Sequence, residues 1–140
     1  MTLIDFYIMS DRKPDAHQLL ACKITEKAYK KGHKIYIHTE SEQQSNSMDK
    51  LLWTFRGGSF IPHSVTSKNE IDTPVLIGHD SEPECIPDVL INLSQEVPGF
   101  FSRFERVAEV ITEDAEQKKK GRERYKFYRD RGYELRSHNL

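Results

Sequence analysis

The sequence LIDFYIMS, at residues 3–10, is an apolar run rich in aromatic side chains, and a polar, turn-forming segment follows it. This pattern predicts a β-strand and a turn. Residues 15–31 then carry apolar side chains four positions apart, from Leu20 to Ala28, as in an amphipathic helix. A second short run, KIYIH at 34–38, predicts another strand. These elements form a βαβ unit, so the two strands are expected to be parallel with a right-handed crossover.

The rest of the chain alternates helices and strands in the same way. Helices are predicted at 41–55 and 113–132, a short helical stretch at 99–104, and further strands at 73–78, 88–94 and 106–111. The pair Gly57 and Gly58 is expected to end the second helix, and residues 64–72 and 79–87 are expected to be surface loops. Together these elements predict one three-layer α/β/α domain over residues 1–140, with a mostly parallel sheet of about five strands.

Charge is distributed unevenly along a nearly neutral chain. The 140 residues include 21 Lys and Arg against 22 Asp and Glu, for a formal net charge of −1. Residues 118–136, however, contain nine basic and three acidic side chains, a local charge of +6 that leaves −7 for the remainder. This asymmetry predicts an acidic body with one basic element near its C-terminus, where an anionic partner is expected.

Several function classes lack their signatures in this sequence. No phosphate-binding loop follows either early strand, and no nucleophile elbow or HExxH pattern occurs. The acidic, histidine-containing segment at 78–85 has irregular ligand spacing and is interpreted as a solvated loop rather than a metal site. Two cysteines without CxxC spacing favour a reducing compartment. We therefore expect no catalytic residue, no metal and no cofactor.

The N-terminal segment does not have the features of a secretory signal. Asp5 interrupts its apolar run, no basic region precedes that run, and nowhere do 18 apolar residues occur in succession. The sequence therefore predicts a cytoplasmic protein that makes no use of a membrane.

The last predicted helix carries a basic stripe with one aromatic residue. A rotation of 100° per residue places its members within about a 60° arc, with Lys126 at the edge. The stripe consists of Lys118, Arg122, Tyr125 and Arg129. Gly121, Phe127 and Tyr128 project to the opposite side, where they are expected to pack on the sheet. Such a stripe fits an acidic peptide with an apolar end, a single-stranded nucleic acid with a base stacked on Tyr125, or an ordinary solvated helix face.

A second surface feature centres on Trp53. This residue lies off the apolar stripe of its helix, and Phe60, Ile61 and Pro62 follow shortly after it. These side chains could form an exposed aromatic patch that anchors a protein partner. The alternative is that Trp53 closes a minor core beneath the turn at 57–58.

Five segments together resemble a known family. They are the N-terminal strand with Phe6-Tyr7, then Leu52-Trp53, Ser59-Phe60-Ile61-Pro62-His63, Asp88-Val89-Leu90-Ile91-Asn92-Leu93, and Arg122-Glu123-Arg124-Tyr125-Lys126-Phe127-Tyr128. In this order they resemble the chi subunits of the bacterial DNA polymerase III holoenzyme over essentially the whole chain. The resemblance implies a Rossmann-like fold without a working nucleotide site and without catalysis of its own. It also implies two partners: the psi subunit of the clamp-loader complex, and the acidic C-terminal tail of single-stranded-DNA-binding protein, which ends in Asp-Ile-Pro-Phe.

The resemblance also assigns residues to both partners. The tail positions match Ile111, Lys118, Arg122, Tyr125 and Lys126, and the psi positions match Trp53, Phe60, Ile61 and Pro62, with His63 at the rim. Arg122 is expected to pair with the α-carboxylate of the tail, Ile111 and Tyr125 to line a pocket for its terminal ring, and Lys118 with Lys126 to attract the upstream aspartates. Contact with DNA would then be indirect, through the coated template.

Two other functions stay open on the residues alone. The basic C-terminal helix could bind single-stranded nucleic acid directly, although the acidic body opposes this. An enzyme could also be built from residues that converge on the cleft at the carboxyl ends of the strands.

Overall fold

The computed structural model describes residues 2–10, 13, 15–55, 61–65, 73–79 and 88–140. Within them the strands are β1 (Leu3–Ile8), β2 (Ile35–His38), β3 (His63–Val65), β4 (Val75–Gly78), β5 (Val89–Asn92), β6 (Arg106–Ile111) and β7 (Glu134–Asn139). The helices are α1 (Ala16–Lys30), α2 (Glu42–Thr54) and α3 (Ala115–Asp130), and a single 3₁₀ turn spans Phe101–Arg103. Each helix and strand predicted from the sequence is present, with bounds shifted by a few residues at most.

The described strands form one open sheet in the order β3-β4-β2-β5-β6-β1-β7, and every neighbouring pair is parallel. The first two strands are parallel, as the βαβ pattern predicts, but β5 and β6 lie between them. Because all strands run the same way, their carboxyl ends meet along one edge of the sheet. The three-layer α/β architecture is confirmed.

The predicted count of about five strands is wrong, because the described residues alone form a sheet of seven. Both missed strands lie at the edges. β3 has three residues and overlaps the segment that was expected to begin a surface loop at 64. β7 reads ELRSHN and has no apolar run, yet it pairs with β1 along its whole length. An edge strand packs on a neighbour along one side only, so its hydrogen bonds form without the apolar pattern that marks a central strand.

Two apolar cores separate the layers. On one face of the sheet, α1 and α2 cover a cluster that includes Leu20, Met48 and Ile91. On the other face, α3 and the 3₁₀ turn cover a second cluster that includes Phe6, Phe101 and Tyr128. Across the described residues, no helix has the length and apolar content needed to cross a membrane.

Candidate functional site

Helix α3 has a well-defined cap at each end: it begins beside the carboxyl edge of the sheet and ends at the opposite edge, where β7 starts. It starts soon after β6, where the Asp114 carboxylate accepts a hydrogen bond from the backbone N–H of Gln117 at 3.0 Å. It ends where Gly132 adopts a φ of +83°, a conformation that favours glycine. The sequence-predicted tail residues on α3 are therefore held on a helix that is fixed at both ends.

Gly121 lets α3 approach the end of β6 closely. A Cβ atom at this position would lie only 2.5 Å from Cδ1 of Ile111. Ile111 itself is 8% exposed and belongs to the core cluster that contains Phe6 and Tyr128. Ile111 therefore forms part of the floor beneath α3, and any larger residue at position 121 would have to displace its side chain.

The buried side of α3 is anchored by a carboxylate in the middle of β6. Glu109 is fully buried and accepts hydrogen bonds from Arg124 Nε at 2.8 Å, from the Tyr128 hydroxyl at 2.7 Å and from Asn92 Nδ2 at 3.0 Å. Arg124 also donates to the carbonyl oxygen of Gln95 at 3.0 Å. Burial raises the pKa of Glu109, and the positive charge of Arg124 with the hydrogen bonds opposes that rise. The network ties α3 to β5 and β6.

Sequence analysis missed this network, although a signal was present. A charged residue in the apolar strand RVAEVI needs a buried cationic partner, because an isolated buried charge is very costly. Arg124 lies between Gly121 and Tyr128 at helical spacing, and all three are buried. The predicted packing of Gly121 and Tyr128 against the sheet is confirmed, and Phe127 packs edge-on against Phe101 with ring centroids 5.8 Å apart.

The adjoining side of α3 presents an aromatic ring on an apolar floor. Tyr125 is 36% exposed, and its ring centroid lies 5.2 Å from that of Phe6, which is 1% exposed. Phe6 belongs to the same core cluster as Ile111. The structure thus brings Ile111 and Tyr125 to one apolar region, and it adds Phe6, which sequence analysis had not placed there.

The cations around this floor differ in whether they are already paired. Among the described residues, no carboxylate lies within ion-pair distance of Arg122 or Lys126, and both side chains are exposed. Lys118, in contrast, contacts the Glu113 carboxylate at 2.6 Å. Arg129 lies 3.4 Å from Asp130. Arg122 and Lys126 flank Tyr125 at helical spacings of three and one and lie four residues apart, so both are available to an anionic ligand.

The surface around Trp53 agrees only in part with the one predicted from the sequence. Trp53 is 45% exposed, so the interpretation that it closes a minor core is wrong. Its ring rests on that of His63, with centroids 4.3 Å apart. Ile61, however, is 1% exposed and packs in the core under α1 and α2, so it is not part of an exposed patch.

His63 does not lie at a rim either. Its side chain is fully buried, with Nδ1 2.6 Å from the Ile61 carbonyl oxygen and Nε2 3.0 Å from the Asp49 carbonyl oxygen. His63 is the first residue of β3, and all three residues of that strand are buried. Pro62, between Ile61 and His63, is half-buried. The described part of this surface is Trp53 supported by His63.

Some sequence-based predictions lie outside the described residues. They concern Phe60, the helix stop at 56–58, residues 66–72 of one loop and residues 80–87 of the other.

Comparisons with known proteins agree with the sequence resemblance. A family model described as DNA polymerase III chi subunit, HolC, matches residues 1–136. The chain is 40% identical over 140 residues to the DNA polymerase III subunit chi of Pseudomonas aeruginosa, covering 100% of this chain and 98% of that one. It is 31% identical over 137 residues to the Haemophilus influenzae subunit chi, covering 96% and 95%.

A solved structure shares the fold alone. The C-terminal domain of the DEAD-box protein Dbp5 matches with a TM-score of 0.66 and 13% identity, covering 98% of this chain and 90% of that one. The structural match supports the Rossmann-like layout, but at so low a sequence identity it shows nothing about function.

Proposed function

The chain belongs to the family of DNA polymerase III chi subunits, and on that premise we propose that it is a non-catalytic adaptor with two binding surfaces. It is a replication accessory subunit and part of a polymerase complex. In the proposed function, α3 captures the acidic C-terminal tail of single-stranded-DNA-binding protein, and the Trp53 surface binds the psi subunit. The protein would link the replisome in the bacterial cytoplasm to coated template.

The observation that carries the tail proposal is the pair of unpaired cations beside an apolar floor. Arg122 offers a planar fork of donors that matches a carboxylate, and Tyr125 lies one helical turn from it. The terminal phenylalanine ring of the tail would enter between Tyr125 and Ile111, over Phe6. Its α-carboxylate would pair with Arg122, and the upstream aspartates would lie near Lys126.

The network behind α3 supports the same proposal through positioning. Arg124, Tyr128 and Gly121 fix the helix on β6, so Arg122 and Tyr125 project from a rigid backbone. Ligand binding then orders few protein groups, which reduces its entropic cost. No covalent or redox step is needed, and we propose that the subunit works without intrinsic activity, cofactor or metal.

The proposed tail contact is weak alone and strong in an array. One carboxylate and one ring against a half-exposed helix face should give micromolar affinity, and exposed charge pairs are screened by salt. A single-stranded-DNA-binding protein that presents several tails, repeated along one template, raises the effective concentration of tails. Many weak contacts then hold the subunit to the coated strand while each one exchanges quickly.

The psi proposal rests on Trp53. An exposed tryptophan supported from behind by a buried ring is the kind of anchor that dominates protein interfaces. His63 is held by its contacts with Ile61 and Asp49, so it can keep the indole in one orientation. We assign the edge of the contact to Pro62 and Phe60, which follow in sequence.

Fluorescence anisotropy tests the tail proposal. A labelled peptide ending in Asp-Ile-Pro-Phe is titrated with the wild-type chain, with Arg122→Ala and with Lys50→Ala, a charge-matched variant on α2. We expect micromolar binding to the wild type and to Lys50→Ala, and a loss of about tenfold or more in Arg122→Ala. Equal affinities for all three proteins would overturn the proposal.

The same titration also tests the alternative function, direct binding of single-stranded nucleic acid by α3. If α3 instead binds single-stranded nucleic acid directly, a labelled oligo-dT binds with an affinity that falls in Arg122→Ala, while the peptide does not bind. Peptide binding that needs the terminal phenylalanine excludes this interpretation of α3.

A further inference from the structure

A cationic groove lies on the face of the sheet opposite α3. It runs between the C-terminal half of α1 and the strands β6, β1 and β7, and encloses about 200 Å³. Its walls include Ile24 and Ala28 of α1 and Ala108 of β6, which pack in or against the core on the α1 side. No described residue of either predicted binding surface lines it.

The wall formed by α1 is basic. Lys27 and Lys31 line the groove one helical turn apart, both are exposed, and neither has a carboxylate within ion-pair distance among the described residues. They belong to a stretch, 23–34, with five lysines and one glutamate. Lysines near a helix C-terminus interact favourably with the helix dipole. That effect does not explain the cations that face them from the sheet.

The sheet wall holds two more basic side chains in fixed positions. Asp5 is 3% exposed, and its carboxylate accepts a hydrogen bond from Arg106 Nη2 at 3.1 Å and lies 2.9 Å from His138 Nε2. Both partners remain partly exposed, Arg106 at 45% and His138 at 40%. The buried Asp5 carboxylate therefore holds both Arg106 and His138 in place, and the exposed part of each side chain is available to a ligand.

An aromatic stack continues from this wall. The rings of Tyr7 and His138 lie 4.8 Å apart with an interplanar angle of 16°, and both residues line the groove. Both rings are partly exposed, so the stacked pair offers a flat platform beside cations. The combination of a basic track and such a platform is how proteins bind single-stranded nucleic acid without reading its sequence.

We propose that this groove is a second binding site, and that its occupant is single-stranded nucleic acid. A base stacks on the outer face of His138, and the phosphates on either side contact Lys27, Lys31 and Arg106. An acidic peptide would satisfy the charges and leave the platform unused, so the observations favour the nucleic acid. The basic stretch extends along α1 beyond the cavity, which fits an extended polyanion better than a compact ligand.

The proposed site would act beside the tail site rather than through it. The two lie on opposite faces of the sheet, so a tail on α3 and a strand in the groove can be bound together. The subunit would then contact template that is briefly free of its coating protein. This site does not depend on the proposed tail function, and either can fail alone.

Salt-dependent binding of a labelled oligo-dT to the full chain tests the proposal. The proteins compared are the wild type, Lys27→Ala with Lys31→Ala, and a charge-matched double variant, Lys50→Ala with Lys119→Ala. Since all four lysines are exposed, each protein should keep the wild-type melting temperature. Unlabelled poly-glutamate is the competitor that represents an acidic peptide.

We expect wild-type binding at low salt that weakens as salt rises. Loss of two phosphate contacts should reduce the slope of log K against log salt by about 1.4 in the Lys27/Lys31 variant. The charge-matched variant should keep the wild-type slope, and His138→Ala should weaken binding severalfold without changing the slope. Tail-peptide affinity should be the same in the Lys27/Lys31 variant as in the wild type.

Three results would overturn the proposal. The first is no oligo-dT binding at low salt, and the second is an unchanged slope in the Lys27/Lys31 variant. The third is equal competition by poly-glutamate, which would assign the groove to acidic peptides.

Discussion

Arg122 and Arg124 stand two residues apart on α3 and do opposite things. Arg124 is 6% exposed and bonds to the buried carboxylate of Glu109, whereas Arg122 is exposed and has no acidic partner in the described structure. One side of the helix uses its charge to hold the fold, and the other leaves its charge free for a ligand. The same residue type is therefore structural or functional according to whether its partner lies inside the protein.

Contacts on the buried side of α3 also explain why its binding side can be so polar. An isolated helix of this composition would be marginal, and its stability here comes from packing on one side. Gly121, Arg124 and Tyr128 supply that packing. Changes on the buried side should therefore alter stability first, and changes on the exposed side should alter only binding.

The largest effect is expected from Glu109→Gln. The substitution leaves Arg124 buried without an anion, which should lower the free energy of unfolding by about 3–5 kcal/mol. Urea denaturation measures it. The control is Glu123→Gln on the exposed side, whose pair with Lys120 spans 3.8 Å and should be worth less than about 1 kcal/mol. Similar losses in the two variants would remove the distinction between the sides.

Trp53→Ala tests whether effects on stability and effects on binding also separate at the Trp53 surface. Because the indole is 45% exposed, its removal should change stability little, but it should weaken psi binding by about 2–4 kcal/mol as an interface anchor. Isothermal titration with a psi chain measures the psi affinity, and a parallel thermal melt measures the stability. A large loss of stability with unchanged psi affinity would make Trp53 a core residue.

His17, in the first turn of α1, gives the stability of the fold a pH dependence. Burial and the nearby charge of Arg124 lower its pKa to about 4, against an ordinary value of 6.5. The unfolded chain therefore binds the extra proton between these values, and stability falls as the pH drops from about 6.5 to about 4. Between pH 7 and 5 the loss should be about 1–2 kcal/mol from this group.

Urea denaturation at both pH values checks this, with His17→Gln as the comparison. The variant should lack that part of the pH dependence. If wild type and variant lost equal stability over this range, the neutral state of the half-buried His17 would be refuted.

The smallest effect is expected on the exposed side, at the ion pair of Lys118 with Glu113. Glu113→Gln should free the lysine for the tail and raise peptide affinity by about twofold, since a partly exposed surface pair is worth under about 1 kcal/mol. Anisotropy measures the change, and Glu134→Gln on β7 is the charge-matched control. Weaker peptide binding in Glu113→Gln would show that the pair positions Lys118 for the ligand.

Much of the fold follows from local pattern because central strands and amphipathic helices carry it. Strands β1, β2, β4, β5 and β6 each have an apolar run, and α1 to α3 have helical periodicity. The edge strands β3 and β7 were missed because pairing with a neighbour, rather than composition, forms them.

The candidate site, like the fold, could be predicted from local sequence pattern only in part. Helical spacing alone brings Arg122 and Tyr125 to one stripe. It cannot show that Phe6 lies under Tyr125, since that contact joins residues far apart in sequence. Proximity to Trp53 in sequence also placed Ile61 on the surface, whereas the structure packs it in the core under α1 and α2. Local pattern thus indicates which face of a helix is exposed, and tertiary contacts decide what lies beside it.

The most direct test of the central claim is a double-mutant cycle between Arg122 and the peptide's terminal carboxylate. Anisotropy gives the dissociation constants of the free-acid and amidated tail peptides for wild type and Arg122→Ala. If the two groups pair, amidation should weaken binding to the wild type about tenfold and leave binding to Arg122→Ala nearly unchanged. Additive losses, with amidation costing the variant as much as the wild type, would contradict the pairing and with it the assigned role of the exposed side of α3.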